Sequence, residues 1–89
     1  MRGDAALPGV THINVTLDFS KKQFGQYDLR IPVHQPVKQL LINLTETLRL
    51  NIDDKFLYTI KVPAKSLLLT DDDRLADYPV TDGDILVVL

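Results

Sequence analysis

The chain has 89 residues, no cysteine, a net charge of −2, and is 45% apolar and 25% charged. That composition describes one ordinary globular domain, too small for a deep active-site cleft, and the missing thiols exclude disulfides, thiolate zinc sites and cysteine nucleophiles. No basic run exceeds Lys21-Lys22 and no apolar run approaches the roughly 18 residues that cross a bilayer, so nucleic-acid binding and membrane insertion are not expected.

Residues 1–9 carry Gly3, Pro8 and Gly9 without periodicity and read as a flexible leader ahead of a domain spanning 10–89. They lack the apolar stretch of a secretion signal, so a cytoplasmic protein is expected. From Thr11 the sequence alternates, with His12, Asn14, Thr16 and Asp18 on one face and Ile13, Val15, Leu17 and Phe19 on the other. This is the pattern of a half-buried strand. A polar loop ending in Gly25 leads to a second alternating segment with Tyr27, Leu29, Ile31 and Val33 on one face, completing a hairpin. Pro32 lies inside this second strand and has no N–H to give a ladder, which predicts a sheet edge.

The period then changes. Val37, Leu40, Leu41, Leu44 and Leu48 form one apolar face of a helix opposite Lys38, Asn43, Glu46 and Arg49. Pro36 suits its first turn, Arg49 complements the C-terminal dipole, and Asn51 is expected to end it in the left-handed conformation. Phe56, Tyr58, Ile60 and Val62 alternate with Leu57, Thr59 and Lys61 in a third strand stopped by Pro63. A short fourth strand at 66–70, a turn with one helical turn at 71–79 and a last strand, Ile85 to Leu89, follow. The order ββαβ(β)β predicts an α+β domain, a four- to five-stranded sheet with one helix on one face and the other face open to water.

The polar residues give no reactive constellation. His12 falls on the wet face of strand one and His34 in the link before the helix, with no partners that spacing brings to either. Asp71-Asp72-Asp73 runs on into Arg74-Leu75-Ala76, without the alternate ligands, glycine and closing glutamate of a calcium loop. The sequons at Asn14 and Asn43 fall in a strand and a helix and read as chance matches. The glycines are scattered, so no phosphate loop is present. Neither catalysis, metal nor cofactor is expected. What remains is the open sheet face. The last strand must expose either Ile85, Val87 and Leu89 or Leu86 and Val88, and "ILVVL" alone does not choose.

The order of elements, with "RLADYPVTDGDILVVL" near the end, resembles the β-grasp fold of ubiquitin. The stretches "VTLDF", "YDLRIPVHQPVKQLL" and "DDRLADYPVTDGDIL" more closely resemble the YukD/EsaB family, stand-alone ubiquitin-like proteins of bacterial type VII (WXG-type) secretion systems. The resemblance implies a mixed sheet of order 2-1-5-3 with a short strand 4. It places Leu86 and Val88 in the core and Ile85, Val87 and Leu89 on the open face, flanked by Thr59 and Lys61. These five are the expected protein-binding residues, because ubiquitin meets partners through this face.

By the same resemblance, the protein is a non-enzymatic cytosolic accessory or regulatory component of the secretion machinery that works by non-covalent docking. Its expected partners are the FtsK/SpoIIIE-type ATPase or the bitopic pseudokinase-like component, which would hold it at the inner face of the membrane. Two alternatives stand beside this. One is an interaction domain of an unrelated assembly, or one that pairs with a second copy of itself across a two-fold axis. The other is a covalent modifier or sulfur carrier, against which "VVL" counts, since the sequence ends inside a strand without a Gly-Gly tail.

Overall fold

A computed structural model of the chain describes residues 11–51 and 58–89. The first hairpin forms as its alternation requires. In β1 (His12–Asp18) Ile13, Val15 and Leu17 are buried and His12 and Asn14 exposed. In β2 (Gln26–Pro32) the inward positions are Tyr27, Leu29 and Ile31. The two strands pair without a bulge from His12 opposite Pro32 to Asp18 opposite Gln26. Their connection is a short 3₁₀ turn, Ser20–Lys22, closed by left-handed Gln23 and by Gly25 at φ 83°.

Helix α1 (Val37–Thr47) buries Val37, Leu40, Leu41 and Thr45, while Leu44 and Leu48 pack at the margin of the core. Pro36 is the N-cap, one residue outside the first turn where the sequence placed it. No side chain caps that end. The backbone carbonyls of Asp73 and Asp71 instead accept the N–H groups of Val37 at 2.8 Å and Lys38 at 3.0 Å, so the acidic turn completes the helix. At the other end the expectation for Asn51 is wrong. Arg49 takes the left-handed conformation at φ 57°, and its N–H bonds to the Glu46 carbonyl while Leu50 bonds back to Thr45. This is a Schellman closure two residues early, and the apolar Leu50 packs against the core.

The remaining strands are short: β3 (Ile60–Val62), β4 (Leu67–Leu69) and β5 (Ile85–Val88). The part of the third strand expected at Phe56 and Leu57 lies outside the described residues, as do residues 1–10, while Tyr58 and Thr59 precede β3. The sheet order is β2-β1-β5-β3-β4, with β5 parallel to β1 and antiparallel to β3. This is the mixed sheet and single covering helix of a β-grasp fold. Pro32 lies on an edge strand, as its missing N–H required, and the most apolar strand is central. Leu17, Phe19, Ile31, Leu41, Ile60, Leu69, Leu86 and Val88 are fully buried between sheet and helix.

Candidate protein-docking face

Strand β5 offers two sets of side chains, and its register against β1 decides which one reaches water. That register is set by the turn before it. Asp82 Oδ1 accepts the Asn14 N–H at 2.8 Å. Gly83, at φ 88°, donates to the Asn14 carbonyl at 2.8 Å, and the Asp84 carbonyl accepts the Thr16 N–H at 3.0 Å. Lys65 braces the turn from the other side: its ammonium donates to the Pro79 carbonyl, to Thr81 Oγ1 at 3.0 Å and to Asp84 Oδ2 at 2.7 Å. That carboxylate also takes the Thr81 N–H at 2.9 Å. Thr16 is thereby held opposite Ile85 and Asp18 opposite Val87. Leu86 and Val88 turn inward to zero exposure, and Ile85 remains 49% exposed.

The five expected residues therefore lie together on the face away from α1. Lys61 is exposed and paired with Val87 across the β3–β5 ladder. Thr59 receives the Leu89 N–H on its carbonyl at 3.1 Å, and Val87, Leu89 and Thr59 are half-buried. A sixth residue belongs with them. Leu68 on β4 is opposite Lys61 and is 58% exposed, more than Ile85. Lys61, Pro63, Ser66, Leu68 and Leu89 border one shallow depression there. In the sequence Leu68 was one of three consecutive leucines. The signal that could have found it is pairing: a residue opposite an outward Lys61 must itself point outward.

The β1–β2 half of the face is polar. Thr16 Oγ1 donates to Asp28 Oδ1 at 2.7 Å. Asp18 accepts the Ser20 N–H at 2.8 Å and the Gln26 side-chain amide at 3.3 Å. Hydrogen bonding by Ser20, hydroxyl first and backbone N–H second, holds the Asp18 carboxyl below its usual range. One row across the sheet reads Gln26, Asp18, Val87, Lys61, Leu68, which is acid, apolar and base in order around the central strand.

Asp73 and Tyr78 have a structural task. Asp73 accepts the Thr70 N–H at 2.9 Å and the Tyr78 hydroxyl at 3.0 Å, and this bond is the first cause of a raised Tyr78 pKa. Among the described residues no group of histidine, aspartate and glutamate side chains could hold a metal ion, and no helix is long and apolar enough to cross a membrane.

Comparison with known proteins agrees with this geometry. The family model for protein YukD of the WXG100 protein secretion system matches residues 12–88. The type VII secretion system accessory factor EsaB of Staphylococcus aureus, in strains Newman and COL alike, is 42% identical over 78 residues, which is 88% of this chain and 96% of the relative. Among solved structures, the ubiquitin-like domain of an Arabidopsis thaliana protein superposes with a TM-score of 0.64 at 23% identity, over 92% of this chain and 80% of that one. A chain from a structure concerned with molecular mimicry of SUMO in DNA repair superposes with a TM-score of 0.65 at 20% identity, over 89% and 91%. Both likenesses are of fold.

Proposed function

Because the chain belongs to the YukD family of WXG100 protein secretion systems, we propose that it is a ubiquitin-like accessory factor of type VII secretion, working by non-covalent docking through its open sheet face. Residues 10–89 are the functional unit in this reading. The observation that carries it is the strip of Ile85, Val87, Leu89 and Leu68 around Lys61, on the face that α1 leaves uncovered, with Ile85 49% and Leu68 58% exposed. Aliphatic side chains grouped on a rigid sheet and rimmed by polar residues have the makeup of a protein contact. A non-enzymatic role accords with acidic side chains that bond within turns.

The docking partner in this reading is a cytosolic part of the membrane-bound machinery, the FtsK/SpoIIIE-type ATPase or the pseudokinase-like component, which would bring a cytoplasmic protein to the inner face of the membrane. The test is complementation. A deletion strain should stop releasing WXG100-type proteins to the medium, wild type should restore release, and Val87→Asp should not, although the variant accumulates folded. Normal release with Val87→Asp, together with unchanged association with the membrane complex, would sink the reading.

A further inference from the structure

The row Gln26, Asp18, Val87, Lys61, Leu68 has a property that single residues do not show. Asp18 and Lys61 are each one strand from Val87, on opposite sides of it and at the same level along the sheet. Turned over about an axis along β5, the row presents base where it had acid and acid where it had base. It is its own complement.

We propose that the open face is closed by a second copy of the chain, on a two-fold axis running nearly along β5 between the two sheets, so that Lys61 of each protomer lies over Asp18 of the other. Val87 then meets Val87 and Ile85 meets Ile85 on the axis, and Leu68 covers Gln26. Facing sheets pack about 10 Å apart with their strands within about 30° of each other, a separation the lysine side chain bridges. The alternative axis, across the strands, would stack Lys61 on Lys61 and Asp18 on Asp18, and is disfavoured by like charge. Asp18 is suited to its part because Ser20 and Gln26 hold its carboxylate in place. Asp28, held by Thr16, adds negative charge on the same side.

This inference rests on the docking reading of the same strip and adds a regulation to it. Self-pairing and partner capture use the same aliphatic residues, so the dimer is a closed form that a partner must open. A five-stranded face on which β3, β4 and β5 are only three or four residues long is small beside the ~1,600 Å² of a standard interface, so pairing should be reversible and depend on concentration.

Sedimentation equilibrium between ~10 μM and ~1 mM tests it, a range set by the expected weak affinity. Wild type should rise toward twice the monomer mass, and Lys61→Asp and Asp18→Lys should each remain monomeric. An equimolar mixture of the two variants should recover a one-to-one dimer, since both cross-axis pairs are then opposite in sign again. Asp18 also holds the Ser20 N–H, so folding of that variant is checked by circular dichroism, and Asp18→Asn serves as the milder second change, expected to weaken pairing. A wild-type monomer at every concentration, pairing by Asp18→Asn equal to wild type, or a mixture that stays monomeric would each overturn the proposal. A monomeric wild type combined with secretion lost in Val87→Asp would remove self-pairing and keep docking. A dimer with the expected charge swap, combined with normal secretion by Val87→Asp, would do the reverse.

Discussion

Gly83 donates its N–H to the carbonyl of Asn14 at 2.8 Å, and that bond ties the turn before the last strand to the middle of the first. It holds only while Gly83 stays at φ 88°, a region that a residue with a Cβ enters at a cost of about 1–2 kcal/mol. Nothing beyond the adjoining residues of the chain would lie within 4 Å of an added Cβ, so the penalty of Gly83→Ala is conformational and not steric. The expected outcome is a domain that still folds but melts lower, by about 4–8 °C for each kcal/mol lost at this size. An unchanged or raised melting temperature would show that the left-handed turn is not what fixes the β5 register.

Arg49 presents the opposite case, a left-handed position filled by a residue that pays for it. At φ 57° it closes α1, while its side chain is exposed. Arg49→Gly should stabilise the domain by about 0.5–1 kcal/mol, the strain relieved less the entropy that glycine adds to the unfolded chain. Urea titration measures this as a raised midpoint at constant slope. A lower midpoint would mean that the arginine's charge near the helix end outweighs its backbone strain.

Two groups should mark the pH profile at its two ends. Tyr78 has its pKa raised above 10.0, first by its hydrogen bond to Asp73, so the fold favours the protonated phenol. Its contribution is fully present below the unfolded pKa and lost as pH rises through the folded value. Asp18 is lowered from 3.8, so its contribution is present above the unfolded pKa and lost as pH falls through the folded value. The stability gap between wild type and Tyr78→Phe should therefore narrow above about pH 10, and that between wild type and Asp18→Asn should narrow below about pH 4. Denaturant midpoints across pH 2–11 check both, and curves that run parallel throughout would contradict the two assignments.

The architecture was legible because its signals are local and strong. Alternation gave the first hairpin, Pro32 identified the edge, and the spacing from Val37 to Leu48 gave the helix. The helix end was not legible, because Asn51 is the better left-handed residue, while the left-handed turn falls at Arg49 and Leu50 packs against the core. Likewise "ILVVL" has no alternation to read. Its facing is decided by Asp82, Gly83 and Lys65, through bonds to residues far away in sequence or outside the strand. Family resemblance supplied the correct facing where periodicity could not. Leu68 was missed for the same reason, since nothing within "SLLLT" separates the leucine opposite Lys61 from its neighbours.

That separation yields the sharpest contrast available on one strand. Leu69 has no exposure and faces the core, whereas Leu68, the adjacent residue, is 58% exposed on the proposed docking face. A carboxylate at Leu69 would be an unpaired buried charge costing more than about 4 kcal/mol, comparable with the whole stability of a domain this size, so Leu69→Asp should not fold. Leu68→Asp places its charge in water beside Lys61 and should leave the melting temperature within about 2–4 °C of wild type, as surface changes of about 0.5 kcal/mol do. On the docking reading it should still weaken capture of the secretion complex by about tenfold or more, the loss of one well-buried contact. Circular dichroism melts and co-purification from membranes read the two effects separately. A folded Leu68→Asp that co-purifies like wild type would remove β4 from the docking face and confine that face to β5 and Lys61.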